Sequence, residues 1–136
     1  VIDIVAKRMR EEAAFIQLAP CAPEKAAAFI AKNIPADDPD VGLLVMNMGT
    51  TVRMTDEEYA AFYKNMGQTL KAWGDRGLWF EVENVRGELY STTYQALLHR
   101  YAGDRLLDHV MVRFDFATRK ADFNPDKADE FLTTPG

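Results

Sequence analysis

Two alternating runs of residues hold the side chains of this sequence that are best suited to chemistry. They are Trp79, Glu81 and Glu83 in the first run, and His109, Arg113 and Asp115 in the second. Residues an even number of positions apart lie on the same face of a β-strand. If the two strands are neighbours, the six side chains form one polar patch in which carboxylate, imidazole and guanidinium groups lie together.

This polar patch has a catalytic interpretation and a structural one. In the first, His109 and either Glu81 or Glu83 transfer protons beside Arg113, because imidazole and carboxyl groups are common general acids and bases. In the second, the patch is an ordinary solvent-facing sheet, where a cross-strand charge pair contributes about 0.2–1 kcal/mol. A large aromatic residue such as Trp79 among charges indicates that a helix, a ligand or a partner covers it. We therefore predict a binding surface of all six residues, with His109, Glu81, Glu83 and Arg113 as the alternative catalytic set.

Signatures of cofactor and metal chemistry are missing from the sequence. It contains neither GxxxxGK[ST] nor GxGxxG, the two glycine-rich motifs that bind nucleotide phosphates. Its only imidazole and thiol ligands are His99, His109 and Cys21, and it has no HExxH or CxxC pair. We predict no cofactor and no metal site, and we expect Cys21 to be a small buried hydrophobic residue.

Composition restricts the class of protein further. The chain has 136 residues, 48% of them hydrophobic, and 16 Lys+Arg against 21 Asp+Glu give a net charge of −5. This length predicts a single domain over residues 1–136. The acidity argues against nucleic acid as a partner, and the apolar run 41–46 is far shorter than the roughly 20 residues that cross a membrane. A lone cysteine fits a reducing compartment, so we expect a cytoplasmic protein.

Hydrophobic spacing predicts the elements in the first part of the chain. Helical spacing indicates an amphipathic helix over 2–17 that ends before Pro20, and a second helix that starts at Pro23. The apolar run 41–48 has the length of a strand and predicts one inside a sheet. Its methionines, Met46 and Met48, are expected to belong to the core.

The strongest local signal is a capping box, in which a threonine and a glutamate three residues later satisfy free backbone donors at the start of a helix. Thr55 and Glu58 have this spacing, apolar residues follow at helical intervals, and Gly74 comes where the pattern stops. The sequence therefore predicts a helix over 56–73.

The last part of the chain alternates between strand and helix patterns. The predicted elements are a strand over 78–85, a helix over 91–102, a strand over 106–116 in a hairpin with 120–123, and a last helix over 125–132. We predict an α+β fold in which a mainly antiparallel sheet of about four strands packs against helices, in the order α-α-β-α-β-α-β-β-α.

Two functional hypotheses follow from these patterns. The first is an acidic protein-binding domain without catalytic activity, which docks on a partner with a basic surface or associates with itself. A bacterial immunity or antitoxin-like inhibitor is one form of it, and a permanent accessory subunit is another. The alternative is a small-molecule-binding protein or enzyme that uses a His/Glu pair on the polar sheet face. An enclosed cavity lined by His109 would favour this alternative.

Overall fold

A computed structural model describes residues 2–11, 21–85 and 92–123. The helices are α1 (Ile2–Glu11), α2 (Ala26–Asn33) and α3 (Asp56–Trp73), and short 3-10 turns cover Pro23–Lys25 and Gly74–Arg76. The strands are β1 (Leu43–Met48), β2 (Gly77–Asn84), β3 (Thr93–Ala102), β4 (Arg105–Asp115) and β5 (Lys120–Phe123). Within these residues the strands form one sheet in the order β1-β2-β3-β4-β5. Strand β1 runs parallel to β2, and the other neighbours are antiparallel.

Helix α3 has the predicted bounds because both of its ends are specified locally. The Thr55 hydroxyl accepts a hydrogen bond from the Glu58 backbone N–H at 3.2 Å, and the Glu58 carboxylate accepts one from the Thr55 N–H at 2.8 Å. At the other end Gly74 has a φ of 59°, a left-handed conformation that glycine adopts without strain. The helix is thus held in register over the sheet.

Removing this cap is expected to weaken the whole fold, because α3 is the helix that covers the core. Thr55→Ala leaves the Glu58 N–H without its side-chain acceptor and is expected to lower the free energy of unfolding by about 1 kcal/mol. Urea unfolding followed by circular dichroism measures this loss. Gln68→Ala, at an exposed position in the middle of the same helix, is the control and should change stability by less than about 0.5 kcal/mol. Equal losses in both variants would contradict the role of the cap.

The core lies between α3 and one face of the sheet. Phe62, Met66 and Leu70 recur at helical spacing and pack against Trp79 of β2. The turn from α3 into β2 is tight, and a Cβ atom on Gly77 would lie 2.9 Å from the Trp73 Cβ. Glycine at this position therefore allows the end of the helix to approach the start of the strand.

The α+β class is confirmed, but several details of the prediction were wrong. Residues 91–102 were expected to form a helix, but in the described part of this range residues 93–102 form strand β3. The sheet has five described strands instead of about four, and it includes one parallel pair. In the described sheet β1 is an edge strand instead of a central one. Its Met46 and Met48 are exposed instead of buried, and so is Cys21.

Strand β4 contains one residue more than its partner. Ala96 of β3 pairs with Val112, while the next residue, Leu97, pairs with Val110, so Met111 is unmatched. Such a bulge reverses which face the alternating side chains occupy on its two sides. The predicted alternation from 106 to 116 is therefore interrupted in the middle of the strand.

The helices predicted at the two ends of the chain lie partly or wholly outside the described residues. The predicted first helix is confirmed as α1 over Ile2–Glu11, and the rest of its predicted range lies outside the described residues. The predicted helix over 125–132 also lies outside them. None of the helices in the described ranges is both long and apolar enough to cross a membrane.

Candidate functional site

Three neighbouring strands place one residue each in a row beneath α3. In the register of the sheet, Trp79 of β2 is opposite His99 of β3, which in turn is opposite Asp108 of β4. Paired residues of a sheet point to the same face. All three therefore lie on the face that α3 covers, which we call the helix-side face.

His99 lies between two carboxyl groups. Its Nδ1 is 2.7 Å from Oδ1 of Asp108, and its Nε2 is 3.3 Å from Oε1 of Glu81. The other oxygen of Asp108 accepts a hydrogen bond from the Tyr63 hydroxyl on α3. The imidazole is buried, whereas the Asp108 side chain is 45% exposed. The four groups thus form a chain from the surface at Asp108 to the interior at Glu81.

The pKa values in this chain follow from burial and from the hydrogen bonds. Burial alone lowers the pKa of His99, but the hydrogen bond to Asp108 and the contact with Glu81 outweigh burial and raise it above its usual value. Burial likewise raises the pKa of Asp108, and the bonds from His99 and Tyr63 outweigh it and lower that pKa. Burial and the bond to Asp108 raise the pKa of Tyr63. These directions favour an imidazolium ion beside a carboxylate and an uncharged phenol.

Aromatic packing fixes the plane of the His99 ring. The indole of Trp79 stacks on it with ring centroids 4.2 Å apart, and Tyr63 meets it edge-on at 5.9 Å. The negative face of an aromatic ring attracts a cation, so the stack favours the protonated imidazole.

A second hydrogen-bonded chain orients Glu83, two residues beyond Glu81 on β2. The Trp79 indole N–H, which can only donate, bonds to the Asn47 side-chain oxygen and so directs the Asn47 amide NH2 elsewhere. That amide nitrogen donates to Oε1 of Glu83 at 2.7 Å, and the Thr50 backbone N–H donates to the same oxygen at 2.9 Å. One oxygen of Glu83 is therefore fixed.

Three buried polar atoms of this site have no aligned hydrogen-bond partner. They are Oε1 of Glu81, Oε2 of Glu83 and Nε2 of His99. The first and third lie 3.3 Å apart, but the N–H does not point along the line that a hydrogen bond requires. Charge attraction between them remains, and each atom keeps hydrogen-bonding capacity for a third group. Unsatisfied buried polar atoms cost about 1–3 kcal/mol each, so their presence calls for an explanation.

A pocket of about 240 Å³ adjoins these glutamates. Of the described residues, the side chains that give it polarity include Thr51, Asp56, Glu81, Glu83, Asn84 and Gln95, and the largely apolar ones include Met54, Tyr59 and Leu97. No described lysine, arginine or histidine lines it. The pocket is therefore acidic, with His99 behind the Glu81 wall.

The structure separates the six residues of the predicted patch. Trp79, Glu81 and Glu83 share one face as expected, but they are 0%, 1% and 4% exposed and do not form a surface. His109 is opposite Leu98, on the other face of the sheet, because the bulge at Met111 reverses the alternation. His109 is consequently not part of the acidic pocket.

The other two residues of the predicted patch lie towards the far end of β4. Arg113 shares the helix-side face with Glu83 through Gln95, and its own side chain is exposed. Asp115 accepts hydrogen bonds from Thr92 and Thr118, which lower its pKa. Its carboxylate organises the turn between β4 and β5.

The sequence analysis missed His99, Asp108 and Asn47 as residues of the site. His99 was hidden because 91–102 fits a helical spacing as well as a strand one. A usable signal exists: Gly103 and Asp104 separate two apolar runs, and a two-residue glycine-containing loop is typical of a β-hairpin. In the structure Ala102 pairs with Arg105 across this loop.

The stability that His99 contributes is expected to fall as the pH rises. Its pKa is raised in the folded protein, so the contribution is complete below the unfolded-chain pKa of about 6.5 and is lost as the pH rises through the folded pKa. Urea unfolding of wild type and His99→Gln should give a stability difference that is largest below about pH 6.5 and shrinks over the pH range above it, in which ordinary carboxyl groups are already ionised. A constant difference across this range would contradict the raised pKa.

A scan against known protein families and searches of curated proteins and of solved structures find no significant match to this chain. Among the residues that the structure describes, no three His, Cys, Asp or Glu side chains are grouped so that they could hold a metal ion.

Proposed function

We propose that this protein binds a small organic molecule in the acidic pocket and moves a proton on it through Glu81. The proposal rests on the position of Glu81, a fully buried carboxyl group at the pocket wall. Glu81 contacts His99, and His99 is itself paired with a second carboxyl group, that of Asp108. Perturbed titratable groups of this kind concentrate at functional sites. The histidine of the proposed His/Glu pair is His99 instead of His109.

The energetic cost of the arrangement supports a functional role. Apolar side chains of similar volume at buried ionic positions are often as stabilising or more so, so a fold has little need for two buried glutamates. A purely structural role would account for the Tyr63–Asp108–His99 chain, which fastens α3 to the sheet. It would not account for the free oxygens of Glu81 and Glu83 beside a pocket.

Each group of the chain has a distinct part in the proposed reaction. Glu81 accepts a proton from the bound molecule and returns it to another atom of the same molecule, so no oxidant or second substrate is required. His99 offsets the negative charge of Glu81 and holds it in place, and Asp108 holds His99 in the orientation that directs Nε2 towards Glu81. Because Asp108 reaches water, the chain also allows protons to exchange with solvent.

The charge of the pocket restricts the ligand class. Asp56, Glu81 and Glu83 contribute negative charge, and no described basic side chain lines the pocket itself. An anionic ligand would meet like charge at short range, which is unfavourable at low dielectric. The proposed ligand is thus neutral or cationic, with a polar group near Glu81 and a short apolar part near Met54 and Leu97.

The burial of Trp79, Glu81 and Glu83 also bears on the hypothesis of an acidic docking surface. A broad basic surface could not contact all three side chains, because Trp79 lies under α3 and the two glutamates are reached only through the pocket. The small-molecule hypothesis needs no such contact, because the pocket already adjoins both carboxyl groups. For this reason it is the function that we propose.

Binding can be tested by NMR with a set of small neutral, cationic and anionic molecules. The expected result is that neutral or cationic members shift the backbone amide signals of pocket residues such as Thr51, Asn84 and Gln95, and that anionic members do not. Glu81→Gln and Glu83→Gln should weaken the binding, and Glu57→Gln, an exposed change on α3, should not. Shifts confined to residues outside the pocket would contradict the proposed site.

Proton transfer can be tested with the ligand that binds. In D2O, wild type is expected to speed the exchange of a carbon-bound proton of the ligand for deuterium, and Glu81→Gln to slow that exchange by about 100-fold or more, the usual contribution of a general base. His99→Gln should slow it as well, since it removes the charge behind Glu81. If the ligand binds but its exchange is not accelerated, the protein binds the ligand without catalysis, and the proposed proton transfer is refuted.

A further inference from the structure

The face of the sheet opposite α3 has a large exposed apolar part, whereas Leu98, Arg100 and His109 on the same face are buried. The residues that register places on it or beside it include Leu44, Met46 and Met48 of β1, Phe80 and Val82 of β2, Tyr94 and Ala96 of β3, Val112 and Phe114 of β4, and Phe123 of β5, with Phe116 just after β4. We call this the apolar sheet face. A groove of about 640 Å³ crosses it between Met48 and Phe116.

The exposed area of this face is large for a protein of this size. Its five most exposed side chains, Leu44, Met46, Met48, Phe116 and Phe123, are each 58–70% exposed. Together they leave on the order of 600 Å² of apolar surface in water, the upper end of the roughly 300–600 Å² found in the largest patch of a monomer. Half-buried neighbours such as Phe80 and Tyr94 add to it. The total approaches the roughly 800 Å² that each partner contributes to a stable interface.

We propose that the apolar sheet face binds the same face of a second copy of this chain. One row of paired residues gives the reason for choosing a second copy. Across the sheet from edge to edge, the row is Met48, Val82, Ala96, Val112 and Phe123. Its side chains are large at both edges, medium between, and smallest on the central strand β3.

This row is complementary to itself under one symmetry operation. A two-fold axis lying along β3, between the two sheets, places each strand opposite its counterpart from the other edge, so β1 faces β5 and β2 faces β4. Met48 of one copy then meets Phe123 of the other, and sulfur–aromatic contacts are favourable. The two valines of the row face each other, and the small Ala96 lies against the partner's Ala96, which lets the sheets approach. The row contains no charged residue, so like charges do not meet along it, and Arg100, the charged residue of β3 on this face, is buried within the single chain at 8% exposure.

The mass in solution is the first test. Sedimentation equilibrium of the wild-type chain at about 100 μM, a concentration at which micromolar dimers are fully formed, should give twice the monomer mass of 15.4 kDa. Met48→Lys and Phe123→Glu should each weaken dimerisation by about tenfold or more, since each places a charge against an apolar partner. Ala61→Lys, at an exposed position of α3 on the other side of the sheet, should leave it unchanged. Circular dichroism checks that all variants fold.

Mixing the two weakened variants tests the orientation of the copies. If β1 faces β5, a mixture of Met48→Lys and Phe123→Glu should form a heterodimer more tightly than either variant alone forms a homodimer, because lysine then meets glutamate at one site and methionine meets phenylalanine at the other. A wild-type monomer at this concentration would overturn the proposal. So would a dimer that both substitutions leave intact, or a mixture in which association is not restored.

Discussion

Replacing Trp79 with alanine is expected to lower the free energy of unfolding by about 3–5 kcal/mol, as for other large-to-small changes in a core. Trp79 is fully buried and touches three rings, with centroids at 5.6 Å for Phe62, 5.8 Å for Tyr63 and 4.2 Å for His99. The substitution removes these contacts together with the indole donor of Asn47. Urea unfolding followed by circular dichroism measures the loss.

A second variant separates ring packing from the hydrogen bond. Trp79→Phe keeps an aromatic ring but leaves the Asn47 oxygen without its donor, so the expected loss is smaller, about 1–2 kcal/mol. If Trp79→Ala does not fold, the stability of Trp79→Phe can still be measured. If Trp79→Ala lowers the free energy of unfolding by less than about 1 kcal/mol, the contacts of Trp79 with the core and with His99 do not stabilise the fold as expected.

Breaking the contact between Glu81 and His99 is also expected to cause a large loss of stability. Both side chains are buried, and removing one member of a buried charge pair leaves the other uncompensated, at a typical cost of about 3–5 kcal/mol. Because glutamine keeps an acceptor oxygen, we expect Glu81→Gln to cost about 3 kcal/mol at neutral pH, at the lower end of that range. The same substitution should lower the pKa of His99, since it removes a neighbouring negative charge.

A double-mutant cycle isolates this contact. The combined variant Glu81→Gln with His99→Gln should lose less stability than the sum of the single losses, with a coupling of about 1–3 kcal/mol. Glu83→Gln is the matched control, because Glu83 lies on the same strand and face but is held by Asn47 and Thr50. Its coupling to His99→Gln should stay within about 0.5 kcal/mol of zero. Equal couplings for the two glutamates would refute a specific Glu81–His99 pair.

The proposed catalytic site and the proposed dimer use opposite faces of one sheet. The two proposals can therefore fail independently: substitutions at Met48 or Phe123 leave the pocket residues in place, and Glu81→Gln leaves the apolar sheet face in place. A dimer would bury the apolar face and leave both pockets of the pair open to ligand.

Elements specified by neighbouring residues could be predicted from the sequence alone. Helix α3 carries its capping box, its apolar spacing and its terminal glycine within 20 consecutive residues, so its bounds follow from local hydrogen bonds and local packing. The alternation in β2 likewise placed Trp79, Glu81 and Glu83 on one face. The short turn between β4 and β5 predicted their hairpin.

The site itself depends on tertiary structure. Residues 93–102 fit two periodicities, and pairing with β2 and β4 along most of its length is what makes this segment a strand. Only that pairing brings His99 between Glu81 and Asp108, and only α3 above the face makes His99 and Glu81 buried. A single unmatched residue, Met111, moved His109 to the opposite face, because side chains alternate along a strand and one extra residue reverses them. The sequence by itself determined which side chains alternate and where the long helix lies, whereas long-range strand pairing decided which of them meet.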